Sequence, residues 1–345
     1  MRKNSFYVIV LILLVHMQQL YAAGGVFQFL DLPVSSRMAA LGGKNVSVSD
    51  HDINFALLNP ALLTGKTDNM IGLNMANYLA DVKFGTAIYG RSYGKNHVAV
   101  GVQFVDYGKF KETTEYNEII GEFTAKDVAM SLIYSRMIID GVYAGAALKP
   151  IFSAYERYLS FGAALDLGMS YQDPTQLFQA GLVLRNIGTQ FKGYYADVDG
   201  QHFEPLPFDI QLGMSYKLEH APFRFSLTGH NLHDWNLQYI DNSRSLQDYE
   251  REDLMADIPF LDQVFRHTVF GVEFLPGKNF YLAASYNHRR HQELKMDGFK
   301  SMTGFSFGGG IKISHFQLGF GMSQFQVGNA AYLFSISTSL NDFRL

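Results

Sequence analysis

The chain has no cysteine in its 345 residues. That excludes disulfide bridges, cysteine-ligated zinc, a thiol nucleophile and the lipobox cysteine that anchors bacterial lipoproteins. Proline is scarce, with 9 residues, so little interrupts an extended ladder. The formal charge of −4 and the lack of any basic cluster argue against nucleic acid as a partner. Beyond the leader no segment reaches the apolar length of a membrane-spanning helix. What is abundant is aromatic and small: 29 Phe, 20 Tyr and 32 Gly, with 48% hydrophobic residues. Such a composition suits strands.

Residues 1–22 read as a secretory signal peptide. Arg2 and Lys3 precede an apolar core over 6–15, and small residues follow at Ala22 and Ala23. The core is too short for a membrane anchor, so the mature protein is expected to leave the cytoplasm.

The clearest pattern closes the chain, TGFSFGGGIKI, HFQLGFGMSQFQV and AAYLFSISTSL over residues 303–340. Phe305, Phe307, Ile311 and Ile313, then Phe316, Leu318, Phe320 and Met322, then Tyr332, Phe334 and Ile336 alternate with Gly, Ser, Gln and Lys. Alternation at period two gives each strand one apolar and one polar face. A last strand with an unpaired edge needs a partner, and closure into a barrel supplies it.

Similar runs occur at 70–78, 82–93, 97–107, 127–137, 142–152, 158–171, 177–186, 208–217, 223–230, 265–275 and 280–288. With the last three they predict an all-β protein, a closed antiparallel transmembrane barrel of about fourteen strands over residues 67–345. Connections after even strands are short. The long ones, 108–126, 187–207, 232–264 and 289–302, all follow odd strands. An outer-membrane barrel separates its connections in this way, with tight periplasmic turns and long external loops. Its inner face is expected to carry Lys83, Arg91, Gln103, Lys149, Asp166, Arg185, Gln211, Lys217 and Arg224.

Residues 23–66 do not alternate. Asp52 is placed to cap a short helix through Ile53, Phe55, Ala56, Leu57 and Leu58, ending near Asn59-Pro60-Ala61, because proline disfavours helix at the preceding residue. This segment either enters the lumen as a plug or caps the barrel mouth.

Several motifs compete with bland readings. Gly304-Phe305-Ser306-Phe307-Gly308 matches the G-x-S-x-G of serine hydrolases, but more strand follows where that chemistry needs a helix. His230 and His233 lie three apart, on opposite faces of a strand, so they suit a loop edge better than a metal. His288-Arg289-Arg290-His291 is either a lipopolysaccharide contact or a solvated loop. DYERED over 248–253, beside Leu254 and Phe260-Leu261, is a protein-docking patch, a weak calcium site or a loop packed on itself. Asn45-Val46-Ser47 satisfies the glycosylation pattern, which is uninformative in this setting. The partner-binding residues expected in the longest loop are Trp235, Tyr239, Tyr249, Leu254, Phe260 and Leu261. Neither catalytic residues nor cofactor or metal ligands are expected.

The stretch VFQFLDLPVSSRMAALGG at 26–43, LNPALL at 58–63 and Arg185-Asn186-Ile187-Gly188 resemble the PorQ family of type IX secretion, within the wider set of barrels like the fatty-acid transporter FadL and PorV. The resemblance implies a FadL-like barrel that is not an enzyme. It implies a multi-pass protein of the bacterial outer membrane, its long loops extracellular, anchoring the sortase attachment complex at the surface. Its implied partners are a PorZ-like surface protein, the sortase PorU, PorV, and outer-membrane lipid including lipopolysaccharide. The alternative is a FadL-like transporter of hydrophobic small molecules. The chain's ending, Asp342-Phe343-Arg344-Leu345, places the aromatic residue expected as an assembly signal at Phe343.

Overall fold

The structure is a computed structural model that describes residues 25–78, 82–116, 118–197, 200–235, 237, 259–294, 302–326 and 329–343. The leader and Tyr239, Tyr249, Leu254 and the DYERED run lie outside the described residues.

Fourteen strands form one closed antiparallel barrel, each paired with its neighbours in sequence. They are β1 Met70–Asn77, β2 Lys83–Tyr93, β3 Asn96–Thr113, β4 Ile119–Ile139, β5 Val142–Tyr155, β6 Tyr158–Gln172 and β7 Phe178–Lys192. Then follow β8 Asp209–Lys217, β9 Phe223–Gly229, β10 Thr268–Phe274, β11 Phe280–Asn287, β12 Phe305–Ile313, β13 Phe316–Gln326 and β14 Asn329–Ser339. β1 pairs with β14 from Met70 opposite Ser339 to Asn77 opposite Tyr332, which satisfies both edges.

Short turns gather at one end, here the turn end. Two of them, at 94–95 and 140–141, use Gly94 and Gly141 at φ 62° and 78°, where a Cβ would be strained. Residues 193–197, 200–208, 230–235, 259–267, 288–294 and 302–304 gather at the other, the loop end. Helix α1 is Ser36–Ala40, ahead of the barrel. Helices α2, Phe260–Arg266, and α3, His288–Leu294, belong to the loop end.

Three expectations need correction. The 108–126 connection is mostly strand, since β3 and β4 run on for 18 and 21 residues, well beyond the nine to eleven that cross a membrane. Phe110 stacks on Phe123 at 5.2 Å along that extension. Residues 265–266 end α2, and the strand there begins at Thr268. Lys83 and Arg91 do not face inward: β1 pairs Ala76 with Phe84 and Met70 with Gly90 on its buried face, which leaves both cations on the outer face, at the two ends of β2.

The outer face is apolar. Leu73, Met75, Val100, Phe104, Met130, Leu132, Leu167, Met169, Leu212, Phe225, Phe320 and Phe334 project from it. Among the described residues no helix is long and apolar enough to cross a membrane. In this fold the strands do so, and their outward side chains meet hydrocarbon.

Candidate functional site

Residues 25–67 touch the inward face of the wall on every side. Ser36 N–H donates to Ser335 Oγ of β14 at 2.8 Å, and the Ser323 hydroxyl of β13 donates to Ala39 O at 3.0 Å. Gln103 of β3 donates to Phe29 O at 2.7 Å, and Gln179 of β7 to Ser49 O at 3.0 Å. Val26 N–H reaches Pro205 O at the loop end, at 3.0 Å. A segment touching all sides of a closed cylinder lies within it. Its Phe29, Leu30, Met38, Leu41, Ile53, Phe55, Leu58 and Leu63 are buried together with inward wall residues such as Phe84, Ile88 and Ile133.

The expected helix over 53–58 is a 3-10 turn, Ile53–Leu57, with the Asp52 carboxylate accepting from Asn54 N–H at 3.1 Å. A second turn, Pro60–Leu62, is capped by Asn59, which accepts from Ala61 N–H at 3.1 Å. The Asn59 amide also donates to Val46 O at 3.0 Å and to Met169 O of β6 at 3.3 Å. The wall makes room for this corner by lacking side chains. A Cβ at Gly168 would lie 2.0 Å from Asn59 Oδ1, one at Gly145 2.6 Å from the Pro60 backbone, and one at Gly181 1.9 Å from Val46 O. Thus Asn59, Pro60 and Ala61 act as a unit against β5, β6 and β7.

Further round the wall, on β9 and β10, the contact is ionic. Arg37 of α1 bonds Glu273 of β10 at 2.9 Å and Asp50 at 2.7 Å, and lies 3.7 Å from Asp52. Arg224 of β9 closes the ring, at 2.6 Å from Glu273 and 3.2 Å from Asp50. Phe55 and Tyr281 flank the Arg37 guanidinium at 5.3 and 4.9 Å, where the π faces add attraction. Burial opposes charge on Asp50, but the charges of Arg37 and Arg224 hold it well below the usual carboxylate range. Burial pushes the neighbouring Asp52 up. A buried cluster of this kind holds position, because removing one member strands the others unpaired.

A second polar group lies on β5 to β7. β7 bulges between its pairings with β6, so Arg185 and Asn186 both turn inward. Asn186 N–H donates to Asp166 at 2.7 Å, and Lys149 bonds Asp166 and Asn186 at 2.7 and 2.6 Å. Arg185 donates to Leu30 O at 3.0 Å. Further toward the loop end Asp127 accepts from the hydroxyls of Tyr107 and Tyr155 at 2.7 and 2.8 Å and from Ser153.

Of the residues expected to bind a partner, the structure brings together Trp235 and Phe260, rings 5.8 Å apart, with Trp235 also stacked on His267 at 5.1 Å. Trp235, Phe260 and Leu261 are 52%, 68% and 67% exposed. His230 and His233 do not converge: His230 is bonded to Asn231 at 2.7 Å and His233 packs on Phe208 at 4.9 Å. In α3, Arg289 pairs with Glu293 at 2.6 Å, His288 with Asp262 at 2.7 Å, and Arg290 reaches back to Gly42 O at 3.5 Å. Ser306 sits mid-strand, its hydroxyl hydrogen-bonded to that of Ser323 at 2.9 Å, without the strand-to-helix turn of a hydrolase. Phe343 packs on Phe316 and His315 at 5.8 and 5.0 Å.

Of the network of Arg37, Asp50, Glu273 and Arg224, sequence reasoning placed Arg224 on the inner face and missed the other three. A second local signal was Glu273, which shares the inward parity of Val269 and Gly271 and so required a cation.

Comparison with solved structures finds this architecture elsewhere. The toluene transporter TodX of Pseudomonas putida superposes with a TM-score of 0.55 at 13% identity, over 90% of this chain and 99% of that one. A second structure of that transporter gives 0.50 at 11% identity, over 92% and 98%. A FadL homologue of Pseudomonas aeruginosa aligns at 0.48 and 10% identity, over 88% and 97%. The fold is FadL-like. No protein-family model matches this FadL-like barrel, and no curated protein matches its sequence.

Proposed function

We propose that this outer-membrane barrel is a plugged platform rather than an enzyme. In this reading it anchors the type IX attachment complex by holding a PorZ-like surface protein at its loop end, which faces the cell exterior. PorU and PorV are its neighbours in that complex, and lipopolysaccharide surrounds its rim. The observation that carries the reading is a pairing of features: the inner segment is buried against inward wall residues and pinned by ion pairs, while Trp235, Phe260 and Leu261 stand exposed at the loop end. Aromatic residues exposed at a rim are typical anchors for a protein partner. The resemblance of residues 26–43 and 58–63 to the PorQ family supports the same reading.

The likeness to solved structures favours a second reading, a transporter of hydrophobic small molecules, since two structures of a toluene transporter share the barrel. Under that reading the inner segment must shift to open a path. A pull-down from detergent-solubilised outer membranes separates the two. The platform reading expects a surface protein to co-purify and to be lost from a Trp235→Ala/Phe260→Ala/Leu261→Ala variant whose barrel stays folded. Co-purification unchanged by that variant, together with solute uptake by the barrel alone in liposomes, would overturn it.

A further inference from the structure

The outer wall is not uniformly filled. A groove of about 590 Å³ runs across β7 to β12 on the face that meets lipid. Strand register explains it. One row of outward side chains runs Phe178, Tyr216, Phe225, Val272, Ala284 and Phe307, each residue opposite the next. The adjacent row runs Met214, Leu227, Phe270, Tyr286 and Phe305. Between them lie Ser215, Ser226, Gly271 and Ser285, whose side positions face inward, so the floor there is bare backbone. Val272 and Ala284 are the smallest outward pair in the first row.

Six strands at the usual separation span roughly 24 Å, so 590 Å³ spread along them gives a section of roughly 25 Å². A helix about 10 Å across does not fit such a slot. A single hydrocarbon chain does. Because strands of a membrane barrel tilt, a row running across them climbs from one end of the barrel to the other. The groove accordingly starts at Phe178, beside the turn end, and finishes at Phe305 and Met302, at the loop end.

We infer that this groove seats one acyl chain of a membrane lipid. The chain enters at Met302 and lies obliquely between the two rows. The aromatic walls fix it in a direction that free bilayer chains do not adopt. Behind the floor the hatch side is close: a Cβ on Gly271 would lie 3.1 Å from Leu41 of the inner segment. The seated chain therefore backs the part of the wall against which that segment rests.

Native mass spectrometry of the full-length protein, with palmitoyl-oleoyl phosphatidylethanolamine titrated into a mild detergent, tests the inference. The wild type is expected to retain one lipid per barrel. Ala284→Trp, which fills the groove from its first row, is expected to weaken retention at least about tenfold, since losing two methylene contacts already costs that much. Val100→Trp, outward on β3 at the far wall, is expected to retain lipid as the wild type does. Heat-modifiable migration on gels reports folding of each variant, and Val272→Phe serves as the second filling variant should Ala284→Trp fail to fold. Equal retention by wild type and a folded filling variant, no lipid retained by the wild type, or stoichiometric displacement of the lipid by toluene would overturn the assignment.

Discussion

The two halves of the barrel solve the same problem differently. β3 to β7 are tall, 14 to 21 residues each, whereas β8 to β14 have 7 to 11. The tall half builds its rim by continuing its own hydrogen-bond ladder, and receives the inner segment by close backbone fit at Gly145, Gly168 and Gly181. The short half builds its rim from α2 and α3, takes α1 by an equally close fit at Gly319 and Gly321, and adds the ionic ring of Arg37, Asp50, Glu273 and Arg224. Shape recognition tolerates no added atom, whereas charge recognition tolerates no lost one.

Removing a charge is expected to do the most damage. Arg37→Met leaves Asp50 and Glu273 with Arg224 alone between them and removes the segment's own cation from the ring, which should loosen the inner segment by about 3–5 kcal/mol. Limited proteolysis would then cut within 25–67 while the barrel stays heat-modifiable; an uncut segment would contradict the grip described here. Adding an atom on the other side comes next. Gly181→Ala puts a methyl where Val46 O stands and is expected to cost about 1–3 kcal/mol, read in the same proteolysis assay. Asn59→Ala removes a cap and two backbone contacts, for roughly 1–2 kcal/mol.

Two milder changes sharpen the contrast. Burial lowers His230, just beyond β9, from the ordinary imidazole value to about 4. A histidine held neutral in the folded state contributes fully above the unfolded value, and its contribution is lost as pH falls from there toward about 4. Protease sensitivity of the 230–267 connection should therefore rise over that window on the short side, and His230→Gln should flatten the rise. Deleting 109–123, the top of the β3–β4 ladder, should leave barrel stability within about 0.5 kcal/mol, measured by the midpoint of heat modification. A larger loss would mean that the tall rim supports the wall below it.

Much of this was legible because a strand facing lipid on one side and a packed lumen on the other must alternate. Met70 to Asn77 and Phe316 to Met322 show that plainly, and the strand count and the segregation of the connections after β7, β9 and β11 to one end followed. The top of β3 and β4 was not legible. Above the hydrocarbon both faces are wet, so Lys109, Glu112 and Glu122 break the apolar period and the segment reads as loop. Lys83 and Arg91 misled for the opposite reason: a cation was assigned to the polar lumen, yet these two sit at strand ends, where the outer face is no longer apolar. The bulge at Arg185-Asn186 reverses parity by one residue, which no count of alternation anticipates. The ionic ring joins Arg37 to Glu273 across 236 positions, and only the closed register brings them together.

The seam between β1 and β14 has a consequence for biogenesis. β1 begins three residues after the turn Gly65–Thr67, and what precedes that turn is bonded to inward residues of β3, β7, β13 and β14. Contacts on that many strands are complete only when the first strand has met the last, so sealing the seam and seating the segment are expected to be one cooperative step.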